Sequence, residues 1–101
     1  MIRNVVLGRL RAEGDRRALS RALDQALAAL AALPFAGLVD VHVGRDLGLR
    51  EGGWDFAITS DWVDEHAYRV YDLDPEHNRL RDEEFARVCD RIARVQIPLG
   101  G

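Results

Sequence analysis

The sequence predicts an α+β fold in which one antiparallel sheet carries helices on one of its faces. Some segments have an apolar side chain at every second residue, as strands do. Between them lie segments whose apolar side chains recur every three to four residues, as in helices. The order of these segments is β-α-β-β-α-β. A chain of 101 residues suffices for one modest core and has no room for a second, so we expect residues 1–101 to form a single domain.

The first half of the chain predicts a strand, a long helix and a second strand. Ile2–Leu10 is rich in aliphatic and β-branched residues, which favour a strand. A helix is predicted over about Arg16–Leu33, because leucine and alanine recur there at steps of three and four. Asp15 is its expected N-cap, and Pro34 ends it. In Leu38–Arg45, valines alternate with other residues and predict the second strand. The valines on its expected inner face are Val39, Val41 and Val43.

The second half predicts a strand, a broken helix and a last strand. Trp54–Trp62 alternates like a strand, which would place Trp54, Phe56 and Ile58 on one face. Helical segments are expected over about Asp64–Leu73, from Pro75 onward, and over about Asp82–Arg91, and the final strand over about Ala93–Leu99. Together with the first half, this is the ferredoxin-like arrangement of a four-stranded antiparallel sheet.

Composition disfavours several classes of protein. The formal net charge is −3, and all 14 basic residues are arginines interleaved with acids, so no basic stripe for nucleic acid forms. Cys89 is the single cysteine, which excludes an internal disulfide, and no apolar run reaches the roughly 20 residues that cross a bilayer. The N-terminus has no signal-peptide pattern, so we expect a cytoplasmic location.

One face of the predicted sheet has no helices to cover it. Its expected residues are only moderately polar: Val5, Leu7, Ala57 and Thr59. A solvated antiparallel face is normally clearly hydrophilic. We therefore expect a homodimer in which this face packs on the same face of a second copy. The alternative is a monomer with a mildly apolar open face.

Four segments, in this order and spacing, resemble the stress-responsive A/B barrel family, also called Dabb or dimeric α/β barrel proteins. They are the opening MIRNVVLGRL, Val41–Leu47, Trp54–Ala57, and Ala67–Tyr71 followed by Asp74–His77. The resemblance covers nearly the whole chain. It implies a homodimer in which two four-stranded sheets face each other as a barrel.

The resemblance also implies a site. The family includes plant stress proteins, many bacterial proteins without assigned chemistry, and polyketide cyclases that use a tyrosine and a histidine matching Tyr71 and His77. The cyclases also have histidines on their first and third strands, where this chain has Asn4 and Phe56. These two departures indicate a pocket of different shape.

Each candidate site residue has a functional and a structural interpretation. His77 could act as a general base near neutral pH, with Tyr71 donating a hydrogen bond to an enolate oxygen. Alternatively, Tyr71 packs on the helix stripe and His77 caps the turn after Pro75. Asn4 either lines a pocket or is hydrogen-bonded within the core. Trp54 and Phe56 are candidate pocket walls or core residues.

No metal site or cofactor is expected. The acids around Asp74 do not form a calcium loop, because Pro75 and His77 occupy its fourth and sixth positions. His66 belongs to an acidic helix start, and His42 is expected at the dimer interface or the barrel lumen. Cys89, on the predicted helical stripe, is expected to behave as a small buried hydrophobe.

The sequence leaves three functions open. The first is a homodimer that binds a small, largely apolar or aromatic molecule between sheet and helices, in a cavity lined by Asn4, Phe56, Tyr71 and His77, with Trp54 as a further candidate. The second is a cofactor-free enzyme of the polyketide cyclase type, or a related lyase or isomerase, with His77 as base and Tyr71 as donor. The third is a structural dimer whose cavity is filled by its own side chains.

Overall fold

The structure is a computed structural model that describes residues 1–100. It has the predicted order of elements, and the second helical region is broken at Leu73 and Asp74 as predicted, then continues as short helical segments from Pro75 to Val88. The elements are β1 (Ile2–Leu10), α1 (Arg16–Ala31), β2 (Leu38–Arg45), β3 (Phe56–Trp62), α2 (Glu65–Asp72), α3 (Pro75–Arg79), a π-helical segment (Leu80–Phe85), α4 (Ala86–Val88) and β4 (Cys89–Pro98). The ferredoxin-like prediction is confirmed.

The four strands form one antiparallel sheet in the order β2-β3-β1-β4. Asn4 of β1 lies opposite Ser60 of β3 and Gln96 of β4, so these three residues share one face. That face carries the helices, because Phe56, Ile58 and the other buried residues of the main core alternate along it. The register therefore fixes which side chains of three strands can meet beneath the helices.

Two apolar clusters hold the helices on this face. The larger one joins α1 to the sheet through Leu23, Leu27 and Leu30. The smaller one joins α2 to the end of β3 through Trp62, Ala67 and Tyr71. The predicted helix over residues 16–33 ends slightly early, at Ala31, and Asp15 caps its start by accepting hydrogen bonds from the backbone of Arg17 and Ala18.

The last strand begins earlier than predicted, and this corrects the position of Cys89. The expected helix over Asp82–Arg91 ends at Val88, and β4 starts at Cys89 instead of Ala93. Cys89 pairs with Leu10 at the far end of β1, and the backbone N–H of Arg11 donates to the carbonyl of Val88. Pairing along the whole length of β1 thus overrides the local helical pattern. Cys89 is buried, but in a strand.

Two further side chains lie on a different side than predicted. The register shifts between Leu38 and Asp40, which indicates a bulge, and Val39 is 52% exposed instead of sharing the inner face with Val41 and Val43. β3 begins at Phe56, so Trp54 precedes the strand and need not lie on the same face as Phe56 and Ile58.

The second face of the sheet, here called the open face, carries no helix. It contains alternate residues of all four strands, among them Leu7, Thr59, Val95 and Ile97. Val95 and Ile97 are 52% and 42% exposed. The face also carries an ion pair in which the Arg3 guanidinium binds both carboxylate oxygens of Asp61 at 2.8 and 2.9 Å. The open face is therefore mixed, with an exposed apolar strip along β4.

Candidate functional site

The backbone at the start of α3 places His77 over the sheet. Asp74 is the N-cap of α3, and its carboxylate accepts a hydrogen bond from the His77 backbone N–H at 2.9 Å. Pro75 occupies the first turn, where its missing N–H is not needed. His77 is consequently directed inward, and only 9% of it is exposed.

A π-helical segment follows and completes the wall beside His77. Its turn is closed by the Ala86 N–H, which donates to the Arg81 carbonyl five residues back. Such wide turns are rare and frequently occur at functional sites. Here the segment contributes Arg81 and Phe85 to the same cavity that His77 lines.

The cavity lies between the sheet and the helices, and α1, the sheet and the second helical region all contribute to it. Its residues are Asn4, Val6, Leu30, Phe56, Ile58, Tyr68, Tyr71, Asp72, His77, Arg81, Phe85, Ile92 and Arg94. Its volume is about 40 Å³. One water needs at least about 10–15 Å³, whereas a cavity that takes up benzene measures about 150 Å³. The cavity can therefore hold a few waters or a very small group without rearrangement.

Tyr71 is held rigidly by other aromatic rings. Its ring centroid lies 4.7 Å from that of Trp62 and 5.1 Å from that of Phe35, whose ring is perpendicular to it. Contacts of this kind are favourable beyond simple burial. Burial raises the pKa of Tyr71, so its hydroxyl stays protonated and can act as a hydrogen-bond donor near neutral pH.

His77 lies against Tyr71, and its surroundings favour the uncharged ring. The two ring centroids are 4.0 Å apart. Burial, followed by the positive charge of Arg81, lowers the pKa of His77, while Asp72 opposes this. Its Nδ1 and Oδ1 of neighbouring Asn78 are both buried and form no hydrogen bond of good geometry within residues 1–100. The Asn78 side chain nevertheless lies close enough to act on the ring, and like Asp72 it raises the pKa of His77. A neutral imidazole with a free buried nitrogen is chemically able to accept or pass a proton.

Asn4 forms the polar floor of the cavity. It is buried on β1, and its Oδ1 accepts a hydrogen bond from Nε2 of Gln96 at 2.9 Å. The amide is thus hydrogen-bonded within the fold and also lines the cavity. The two interpretations of Asn4 drawn from the sequence are compatible.

The structure brings four of the five predicted site residues together. Asn4, Phe56, Tyr71 and His77 all line the cavity. Trp54 does not belong to this lining. It lies under the guanidinium groups of Arg9 and Arg91, at 4.8 and 5.8 Å from its ring centroid. Because these arginines are on the open face, Trp54 is separated from His77 by the sheet.

The other histidines lie away from the cavity. His42 is on the open face opposite Thr59, and its Nε2 lies 2.9 Å from Oδ2 of Asp40. His66 is exposed near the start of α2. Among residues 1–100, no group of three or more His, Cys, Asp or Glu side chains is arranged to hold a metal ion. No helix within the same residues is long and apolar enough to span a bilayer.

Nine of the thirteen lining residues were not predicted from the sequence, among them Tyr68, Arg81 and Arg94. Tyr68 lies three residues before Tyr71, so helical spacing could have indicated a shared side. Arg94 lies opposite Val6, which becomes visible only once the register of β4 is known. The sequence predicts a helix that starts at Asp82, directly after Arg81. In the structure no helix starts there, because the π-helical segment continues from α3.

Comparisons with known proteins agree with this architecture. Residues 2–97 match the family described as Stress responsive A/B Barrel Domain (Dabb). A dimeric ferredoxin-like protein of unknown function from Thermobifida fusca YX is 30% identical, with 97% of this chain and 90% of that chain covered and a TM-score of 0.79. No match was found among the curated proteins.

Two more distant structures share the fold. A Dabb family protein from Mesorhizobium loti is 21% identical over 98% of this chain and 97% of its own, with a TM-score of 0.74. A hydroxynitrile lyase from Passiflora edulis is 19% identical over 98% of this chain and 93% of its own, with a TM-score of 0.80. At 21% and 19% identity, these two similarities show a shared fold and nothing beyond it.

Proposed function

This chain belongs to the stress-responsive A/B barrel family, and on that premise we propose that it is a homodimer that binds a small molecule in the cavity beside His77. The dimer forms through the open face, and each copy keeps its own cavity on the opposite, helix-covered side of its sheet. A cytoplasmic location stays a prediction.

The composition of the open face supports the dimer. Val95 and Ile97 expose apolar surface along β4, while Leu7 and Ala57 are half-buried. Exposed contiguous apolar surface of this kind is typical of contact sites. The similar protein from Thermobifida fusca is described as dimeric. A two-fold contact would cover the apolar strips of both copies at once.

One observation carries the binding proposal: His77, whose pKa is lowered by burial, lines a largely apolar cavity together with the polar side chains of Asn4 and Tyr71. The combination of an apolar cavity with a few polar groups is typical of a small-molecule site.

The size of the cavity limits what enters it. A volume of about 40 Å³ admits only a few heavy atoms next to His77 and Tyr71. An aromatic ring would require a lining side chain such as Phe85 to move. We therefore propose ligands whose smallest end enters the cavity, with the remainder outside.

Filling the cavity is expected to weaken binding. Val6 lines the cavity, and Val6→Leu adds one methylene group to its wall. Titration with 2-butanone, butyramide, butyrate and benzaldehyde, followed by the NMR methyl signals of Ile58 and Ile92, should show saturable shifts in the wild type for at least one probe. In Val6→Leu the affinity should fall about tenfold or more, as one methylene group can do in a tight pocket.

The matched control is Val39→Leu, which makes the same change at an exposed position away from the cavity. It should bind like the wild type. If no probe shifts the Ile58 and Ile92 signals of the wild type, the binding proposal is wrong.

A second candidate function is catalysis without a cofactor, favoured by the 4.0 Å contact between the His77 and Tyr71 rings. His77 would remove a proton from a hydroxyl group or from a carbon beside a carbonyl, and Tyr71 would donate a hydrogen bond to the oxygen of the substrate. A polyketide chain exceeds the cavity, so we propose small carbonyl compounds as substrates. The Passiflora edulis neighbour is a hydroxynitrile lyase, a class that cleaves a cyanohydrin into a carbonyl compound and cyanide.

A small probe for catalysis is acetone cyanohydrin. We expect cyanide release above the buffer rate in the wild type, and a loss of roughly 10²-fold or more in His77→Gln if His77 is the base. Tyr71→Phe keeps the ring packing and removes the donor, so it should lower kcat while leaving the fold intact. A wild-type rate equal to that of buffer would speak against this reaction.

A further inference from the structure

A positively charged groove adjoins the outer side of the cavity. It has a volume of about 470 Å³ and is open to solvent. Arg81, Ile92 and Arg94 line both the groove and the inner cavity, so these three side chains form their shared boundary. The remaining groove residues are Arg11, Asp82, Ala86, Cys89, Asp90 and Arg91.

The charges in the groove are unbalanced. Four arginines line it against two aspartates, Asp82 and Asp90. The Arg81 Nε lies 3.2 Å from Oδ1 of Asp82, which compensates one of the positive charges in part. Arg94 takes part in none of the salt bridges formed within residues 1–100. A guanidinium without a partner at a cavity mouth is suited to a planar anionic group.

The two boundary arginines also act on the buried aromatic groups. Burial raises the pKa of Tyr71, and the charges of Arg94 and Arg81 oppose that rise. Arg81 further disfavours a proton on His77. Asp72 is the one acidic residue among those that line the cavity, and its charge raises the pKa of His77. At the mouth Arg81 is thus compensated in part by Asp82 and Asp72, whereas Arg94 has no ion-pair partner within residues 1–100.

We infer that the ligand is a small carboxylate, whose anionic group binds between Arg81 and Arg94 while its neutral end enters the cavity beside His77 and Tyr71. This rests on the proposed binding function and specifies its ligand class. Arginine and carboxylate match in geometry and form strong charge-assisted hydrogen bonds. The small inner cavity and the roomy outer groove fit the two unequal ends of such a molecule.

The test compares butyrate with butyramide, which has nearly the same shape and no charge. Both are titrated into the wild type and followed by the methyl signals of Ile58 and Ile92. Butyrate should bind at least tenfold more tightly than butyramide, because hydrogen bonds to charged groups are the stronger ones. Raising the salt concentration to 1 M should weaken butyrate binding selectively.

Two variants locate the anionic group. Arg94→Gln and Arg81→Gln should each lower the affinity for butyrate about tenfold more than the affinity for butyramide, and retained Ile58 and Ile92 methyl signals of the unliganded variants show that they are folded. Arg21→Gln, on the exposed surface of α1, is the control and should change neither.

The outcomes separate the two proposals. Equal affinities for butyrate and butyramide, or variants that weaken both alike, overturn the carboxylate assignment while the cavity remains a binding site. Absence of binding by either probe overturns the assignment together with the proposed function.

Discussion

Gly8→Ala is expected to lower the free energy of unfolding by about 3 kcal/mol, at the upper end of the usual cost of overpacking. Gly8 is buried in the central strand β1 and lies opposite Phe56 in the register. A Cβ atom at Gly8 would lie 2.1 Å from Cζ of Phe56. The Phe56 ring also contacts Phe85, at 5.9 Å between centroids, so it cannot retreat freely.

The same substitution should also disturb the cavity, since Phe56 and Phe85 both line it. Gly44→Ala is the control: it lies in the paired strand β2, and a Cβ there meets no atom within 4 Å. We expect it to change stability by at most about 1 kcal/mol. Urea unfolding at one fixed protein concentration measures both. Equal stability of Gly8→Ala and wild type would contradict the packing described for β1 and β3.

Val95→Asp is expected to weaken the dimer at least a hundredfold. Val95 lies on the open face and is half-exposed in the single chain, so a carboxylate there costs little in an isolated copy. In the proposed dimer, the side chain of each copy would be covered by the other. Two buried carboxylates without partners would then be created per dimer, and an unpaired buried charge is strongly unfavourable.

The control for this variant is Val70→Asp. Val70 is exposed to the same extent, 52%, but lies on α2, away from the open face. Sedimentation equilibrium should give a dimer for the wild type and Val70→Asp and a monomer for Val95→Asp at micromolar concentration. A dimer in all three would place the interface elsewhere on the chain.

The elements that the sequence predicts best are those with a clear local period. β1 and β2 have the predicted bounds, and α1 begins where predicted and ends two residues early. In each of them the apolar residues recur with the period of a helix or of a strand, so they lie on one face of the element. That Asn4, Phe56, Tyr71 and His77 lie together was also predictable, because all four positions follow from the resemblance.

The errors arise where distant pairing decides the structure. The helical spacing of Phe85, Val88 and Cys89 gives no sign that Cys89 pairs with Leu10 in a strand. Trp54 fits the alternation of β3 in the sequence but precedes the strand. Its ring instead packs against an arginine on the open face. The part of the site formed by Arg81 and Arg94 was missed for the same reason, since it depends on the register of β4 and on the π-helical segment.

His77 faces the cavity between sheet and helices with a lowered pKa, and its own titration tests this most directly. The chain has three histidines, and the ¹³Cε1 signal of His77 can be assigned by its loss in His77→Gln. Followed from pH 4 to pH 8, this signal should report a pKa below the ordinary value of about 6.5, because burial and Arg81 both disfavour the charged ring. A pKa at or above that value would mean that the ring meets water or an acidic partner, and the buried site described for it would not exist.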